Sequence, residues 1–395
     1  MMKKALSILS LFVILFVSGC ARTGSESRTE NDAEVLTSEY SDQETSLGNE
    51  GREFDVRPGE HGYLGVQWIE HMNDYLPNRL AFTDRELETA EWIVETLLEM
   101  GFDEDQVEMQ TFAYNVPTSS WWGDPTRMIQ LYEATGYYDG LERLDESQNV
   151  ILTLPGRSAE TIIIGAHYDG VGYPGISDNA GGVVLLLENA YRMRDIDHYY
   201  TLQYVFFGAE EVGLVGAFYF VDNMTQEEID NLVLMINVDV IMDGPQLIYS
   251  VGYFEELPEI PMDIMRGEAD WERRGIELLQ NDVTMEIKTI AARLNAENRT
   301  DLISIPQGIA LSTDQLAFLQ FGIPTMVFYG THPVDSPEVV PDVVSVIPDL
   351  FIGDVLHTER DCLDFLMETH PGRVEHALNY FGIFLEEVVS SEFVQ

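Results

Sequence analysis

The sequence predicts an α/β protein with a mainly parallel, mixed β-sheet and helices on both of its faces. Three observations predict it. Short apolar runs with β-branched residues recur at 150–154, 161–165, 202–207, 233–238 and 324–329. These runs lack the apolar–polar alternation of a half-exposed strand, so each reads as buried on both sides. Helical stretches separate several of them, and that order gives parallel strands joined by crossover helices.

The elements follow in chain order. "MMKKALSILSLFVILFVSGC" has a basic start, an apolar run from Ala5 to Val17 and then small residues. This is the layout of a secretory signal, and the run is short for a membrane span. Its end, Val17-Ser18-Gly19-Cys20, resembles the lipobox of bacterial lipoproteins. That resemblance implies a signal peptide over 1–19, cleavage before Cys20, and a membrane anchor through lipid on Cys20. Residues 20–52 are polar, acidic and poor in apolar residues, and read as a disordered tether. Residues 53–395 read as a single domain.

Within that domain Leu87, Ala90, Ile93, Val94, Leu97 and Leu98 recur at helical spacing over 83–100. Thr83 and Glu86 suit a capping box, and Gly101 suits a stop. Residues 115–146 are Trp- and Tyr-rich and read as an irregular insertion, either a rim over a site or a surface excursion with its own small core. A helix is expected over 182–193, where Gly181 and Gly182 allow close packing of its start. A nucleotide loop is excluded there, since lysine is absent and acids surround it. A terminal helix is expected from about Val374 to Val389.

The charge narrows the function. The chain of 395 residues carries 69 Asp and Glu against 21 Lys and Arg, a formal net charge of −48. Beyond Lys4 the only lysine is Lys288. Nucleic-acid binding is excluded as a role, because phosphate neutralisation needs Lys and Arg. Adaptation to high salt and solubility outside the cell both fit such a surface. The cysteines are Cys20 and Cys362, which do not make a disulfide framework.

Three of the apolar runs end in metal-competent residues. The run at 161–166 leads into His167 and Asp169, the run at 202–207 into Glu210 and Glu211, and the run at 233–238 into Asp239. Asp178 follows in a Gly- and Ser-rich loop. Sites in open parallel sheets form beyond the carboxyl ends of strands. Two adjacent acids repel each other when buried, and a nearby cation removes that cost.

At these residues the chain resembles metallopeptidase family twenty-eight, zinc aminopeptidases with two co-catalytic metals that also include glutaminyl cyclases. The matching pieces are "GAHYDG", "SDNAGG", "FFGAEEVGLVGA", "INVD", "STDQLAFLQFGIPTMVF" and "LHTERD", spanning about 149–361, and the segment 63–114 fits the family's start. The resemblance implies a three-layer sandwich of the zinc-aminopeptidase, phosphorylase–hydrolase type. It implies two zinc ions: His167 and Asp239 on one, Glu211 and a C-terminal histidine on the other, Asp178 bridging. It implies Glu210 as general base and Asp169 as the group that orients His167. Two Zn²⁺ ions against the three carboxylates Asp178, Glu211 and Asp239 leave one positive charge, which suits a bound hydroxide.

The last ligand is His357, in the family's His-Thr-x-x-Asp pattern, with His332 after the strand at 324–329 as the alternative. His61, His71, His198, His370 and His376 match no motif. Two departures stand out. The family's Ser-Asp-His reads Ser312-Thr313-Asp314-Gln315 here, which aligns Asp314 with its Asp. Leu356 stands where some members have a Tyr before the last histidine. The implied activity is hydrolysis of N-terminal peptide bonds of peptide or small aminoacyl substrates, in the bacterial cell envelope outside the cytoplasm. A glutaminyl cyclase on the same fold and a non-catalytic surface binding module are the competing readings. Side-chain preference, exo- versus endopeptidase action, the oxyanion donor, native metal identity and oligomeric state stay open.

Overall fold

The computed structural model of the chain describes residues 52–119, 125–255, 278–305, 313–332 and 355–393. The expected signal peptide, Cys20 and the tether up to residue 51 lie outside the described residues, as do Trp121, Trp122 and Ser312.

The elements run α1 (Tyr63–Tyr75), α2 (Asp84–Glu99), β1 (Val107–Ala113), α3 (Pro125–Thr135), β2 (Glu146–Leu154), β3 (Thr161–His167), α4 (Gly181–Met193) and β4 (Thr201–Phe207). Then come α5 (Val215–Asp222), α6 (Gln226–Asp230), β5 (Leu232–Val238), β6 (Gln246–Gly252), α7 (Asp282–Ala296) and β7 (Ile303–Ser304). Last are α8 (Leu316–Leu319), β8 (Thr325–Thr331), α9 (Leu363–Thr369) and α10 (Arg373–Val389).

These strands form one sheet in the order β1-β2-β4-β3-β5-β8-β6-β7. Its centre, β4-β3-β5-β8, is parallel throughout. Antiparallel pairings join β1 to β2, β2 to β4 and β6 to β8. The sheet is thus the expected mixed one, with its parallel part in the middle. Strand β3 explains why its run has no alternation. Ile162 and Ile164 pack into a core with Ile93, Val184 and Phe384, while Ile163 points the other way, among Leu214, Phe218 and Phe318. Successive side chains take opposite faces, and both faces are covered by helices.

Helix α4 packs its start tightly against the sheet. A Cβ on Gly182 would lie 2.5 Å from Asn179 Oδ1 and 2.7 Å from the Val238 carbonyl, so only glycine fits. At α2 the Thr83 side chain accepts from the Glu86 N–H, and Gly101 follows the helix with φ +91. The capping box is only half formed. The Glu86 carboxylate turns away from Thr83 and accepts from Phe82 N (2.6 Å), Ser147 Oγ (2.8 Å) and Ala209 N (3.0 Å).

The 115–146 segment corrects the expectation of irregularity, since it contains α3. Ile129 and Tyr132 of α3 pack with Phe82, Val171, Ala209 and Val212. This cluster is shared with residues outside the segment, and Ala209 and Val212 in it flank Glu210 and Glu211.

Candidate metal centre

The parallel register brings three strand ends level. His167 is opposite Phe207, Gly165 opposite Asn237, and Val238 opposite Phe328. The residues that leave these ends converge. His167 Nε2 is 3.0 Å from Asp178 Oδ1 and 3.2 Å from Asp239 Oδ1. His357 Nε2 is 2.9 Å from Asp178 Oδ2 and 3.3 Å from Glu211 Oε2. Two triads result, His167–Asp178–Asp239 and Asp178–Glu211–His357, and Asp178 gives one oxygen to each. Glu210 offers an oxygen within 4.8 Å of His167 and Glu211. His167, Asp178, Glu211 and Asp239 are buried, Glu210 is partly exposed, and 46% of the His357 side chain is accessible, so the cluster opens to solvent on the His357 side.

Each ligand is held from behind. His167 Nδ1 faces the Asp169 carbonyl at 3.2 Å and Asp169 Oδ1 at 3.5 Å. Both are acceptors only, so Nδ1 carries the proton and the Nε2 lone pair faces the cluster. The Asp361 carboxylate accepts from Ser177 N (2.6 Å) and Asp178 N (3.0 Å), which ties the His357 loop to the Asp178 loop. The Asp178–Asn179 peptide is cis. Asn179 donates to the Val238 carbonyl (2.8 Å) and accepts from Gly182 N (3.2 Å). Asp243 accepts from Leu356 N at 3.0 Å, just before His357. Buried Arg79 donates to the carbonyls of Tyr168 (2.7 Å), Pro174 (2.5 Å) and Gly175 (3.1 Å), so it staples the loop between His167 and Asp178.

The electrostatics of these residues call for a cation. Burial, then the Asp178 charge, push the Glu211 carboxyl up to about 7, against the pull of His357. Burial pushes Glu210 well above the usual range; His167 opposes this, while Glu211, Asp314 and Asp239 add to it. Burial alone would lower His167, but Glu210, Asp239, Asp169 and Asp178 more than reverse this. Among the described residues, Glu211 Oε1 is buried with no hydrogen-bond partner, and so are both Asp314 oxygens. Buried carboxylates without donors are costly when charged, and a proton or a bound cation relieves that cost. Two ligands on a tetrahedral zinc, each about 2.0–2.1 Å from it, sit about 3.3 Å apart. The four nitrogen–oxygen distances of 2.9–3.3 Å match that spacing. Imidazole and carboxylate donors without thiolate suit zinc.

Residues 149–381 match Peptidase family M28. The chain belongs to that family. Among M28 relatives it is 26% identical over 199 residues to Aminopeptidase YwaD of Bacillus subtilis, which covers 49% of this chain and 38% of YwaD. It is 35% identical over 146 residues to "Probable lipoprotein aminopeptidase LpqL" of Mycobacterium tuberculosis, covering 34% of this chain and 28% of LpqL. The chain thus spans well under half the length of either relative. Its fold is similar to that of BSAP, a zinc aminopeptidase from Bacillus subtilis, with a TM-score of 0.58 at 17% identity over 86% of this chain and 98% of that one.

The M28 fold brings together His167, Asp169, Asp178, Glu210, Glu211, Asp239 and His357. It does not bring in His332, which follows β8, is buried, and has its ring 6.2 Å from that of His370. Asp314 lies near enough to Glu210 and His167 to perturb both electrostatically or be perturbed by them. Sequence reasoning missed Arg79, Glu86 and Asn149. The available signal was weak: charged residues in "NRLAFTDRE" and a polar residue at the start of a strand run.

Proposed function

We propose that this protein is an extracytoplasmic, zinc-dependent aminopeptidase that holds two zinc ions. The two triads sharing Asp178 carry the reading. His167, Asp178 and Asp239 would hold the first ion, and Asp178, Glu211 and His357 the second. When bound, the zinc ions polarise the scissile carbonyl and acidify water.

The chain's own residues do the rest. Glu210 lies within reach of His167 and Glu211, beside both triads, and we assign it to proton transfer rather than to either zinc. Burial pushes the Glu210 carboxyl up, His167 opposes this, and Glu211, Asp314 and Asp239 add to it; a general base has to hold the proton it takes. Glu210 takes a proton from the attacking water as its oxygen bonds to the carbonyl carbon. It delivers that proton to the leaving amine as the C–N bond breaks. Asp169 orients His167 and accepts from the N–H groups of both Glu210 (3.0 Å) and Glu211 (3.1 Å). The surplus of carboxylates attracts a positively charged substrate amino terminus, which favours exopeptidase action on peptides or small aminoacyl compounds. For location we infer lipid on Cys20 and a place in the cell envelope, supported by the lipobox and by the lipoprotein name of LpqL. No helix of the described residues is long and apolar enough to cross a membrane.

Glu210→Gln tests the reading. It is expected to keep its zinc and its fold and to lose about 10²–10⁴-fold in kcat on aminoacyl and peptide substrates. Full retained turnover would contradict the role of Glu210. Conversion of peptides with N-terminal Gln into pyroglutamyl peptides with release of ammonia, and no cleavage of the peptide bond, would replace the aminopeptidase reading with a cyclase.

A further inference from the structure

Beneath the two glutamates lies a set of buried side chains that the proton transfers do not use. Gly208, Ala209, Glu210 and Glu211 present four consecutive backbone N–H groups. Each donates to a side-chain oxygen: Gly208 to Asn149 Oδ1 (3.1 Å), Ala209 to Glu86 Oε1 (3.0 Å), Glu210 to Asp169 Oδ1 (3.0 Å) and Glu211 to Asp169 Oδ2 (3.1 Å). The acceptors come from β2, the first turn of α2 and the loop after β3. The turn is gripped on its carbonyl side too. Tyr132 Oη donates to the Glu211 carbonyl (3.1 Å), and Asn149 Nδ2 donates to the Gly216 carbonyl (3.0 Å). Ala209 sits at φ +56, in the left-handed region that a non-glycine residue adopts only when held there.

Glu86 is the least expected member. It is fully buried, and it takes N–H donors on both oxygens, Phe82 on Oε2 and Ala209 on Oε1, with Ser147 Oγ also on Oε1. Burial pushes the Glu86 carboxyl well above the usual range, with Asp169 adding to it and the donors from Ser147, Phe82 and Ala209 opposing; a buried ionisable group of this kind is a poor device for stability alone, because apolar packing serves as well.

We propose that Glu86 is a positioning residue: by holding Ala209 it fixes the direction in which the Glu210 carboxylate leaves the turn. The proposal rests on Glu210 being the proton carrier. A carboxylate is required. An amide of the same shape would turn its NH₂ against either Phe82 N–H or Ala209 N–H and lose one of the two bonds.

The test is Glu86→Gln in the full, zinc-loaded chain, with zinc content, kcat, KM and backbone amide exchange at 208–211 measured together. The expected result is unchanged zinc, KM within about twofold, and kcat lower by about 10- to 100-fold, the cost of a misplacement of about 1 Å. Amide exchange at 208–211 rises by about tenfold or more while the rest of the sheet keeps its protection. Wild-type kcat and exchange in the variant would overturn the proposal. So would a kcat loss that follows zinc loss one for one, since Glu86 would then serve only the ligand Glu211. Should Glu86→Gln fail to fold, Glu86→Asp keeps the charge on a shorter arm; a smaller loss in the same direction is expected, and none would overturn the proposal equally. A wild type without turnover on any substrate would sink the peptidase reading instead, and exchange at 208–211 alone would then decide for or against Glu86.

Discussion

At the scale of single residues, the site is a concentration of negative charge that the fold tolerates only with compensation. Asp169 and Glu86 solve their burial with backbone N–H donors. Glu211 does not, and one of its oxygens has no donor among the described residues. Asp361 is pushed up to about 7 by burial first, with Asp178 and Asp243 adding to it and the N–H groups of Ser177 and Asp178 opposing. Glu211 also stands at about 7. In the unfolded chain both would titrate near the usual carboxylate values of about 3.9–4.3. Their folded values are raised, so between those limits the metal-free folded state holds protons that the unfolded state releases. Stability of the metal-free protein therefore falls as pH rises from the usual carboxylate range through about 7. Zinc would take the place of the proton on Glu211 and, by offsetting the Asp178 charge, would ease the ionisation of Asp361. Thermal unfolding in chelator is expected to show a Tm that drops from about pH 5 to about pH 8, and saturating zinc is expected to flatten that drop. A metal-free Tm that is flat or rising over this range would contradict the charge account.

At the scale of elements, the site exists because β3, β4 and β5 are parallel and end level. Helix α10 helps hold the sheet in register. Phe381 and Phe384 are fully buried and stack on Phe328 of β8 at 4.7 and 5.5 Å, and Phe384 also meets Tyr249 of β6 at 5.1 Å. Phe384→Ala is expected to cost about 3–5 kcal/mol in urea unfolding while leaving the zinc content of the folded fraction unchanged. A loss below about 1 kcal/mol would mean that the region repacks freely. The central strands were legible in the sequence because burial on both faces leaves a continuous apolar run. The strand end carrying His167 and those just before Glu210 and Asp239 were legible for the same reason, since polar residues stop such a run abruptly. Other elements left no such trace. Strand β7 is two residues long with both side chains exposed, and α3 is hidden among Trp, Gly and Pro. Glu86 shows a different limit. Its spacing from Thr83 suggests a local cap, yet its carboxylate serves Ala209, 123 residues away in the chain. Asn149 likewise serves Gly208, 59 residues away. Local pattern carries periodicity and caps; it carries no record of which distant backbone a buried polar group will meet.

At the scale of the whole molecule, an acidic chain is tied together by few cations. Among the described residues, Arg85, Arg143, Arg157, Arg194, Arg293 and Arg299 make exposed ion pairs, and Arg192 pairs with the buried Glu188. Arg293 and Arg299 both reach Glu387, at 2.7 Å each, and so link α7 and its following turn to α10. Exposed pairs contribute little each. The stronger demand for positive charge is internal, where Asp178, Glu211 and Asp239 meet His167 and His357. Two divalent ions would meet this demand and supply the Lewis acid of a hydrolase. The most direct test is zinc content per folded chain, measured by elemental analysis after equilibration with zinc and removal of the excess. Two zinc ions per wild-type chain are expected, with about one left in His357→Ala. One zinc or none on the folded wild-type chain would contradict the two-metal site.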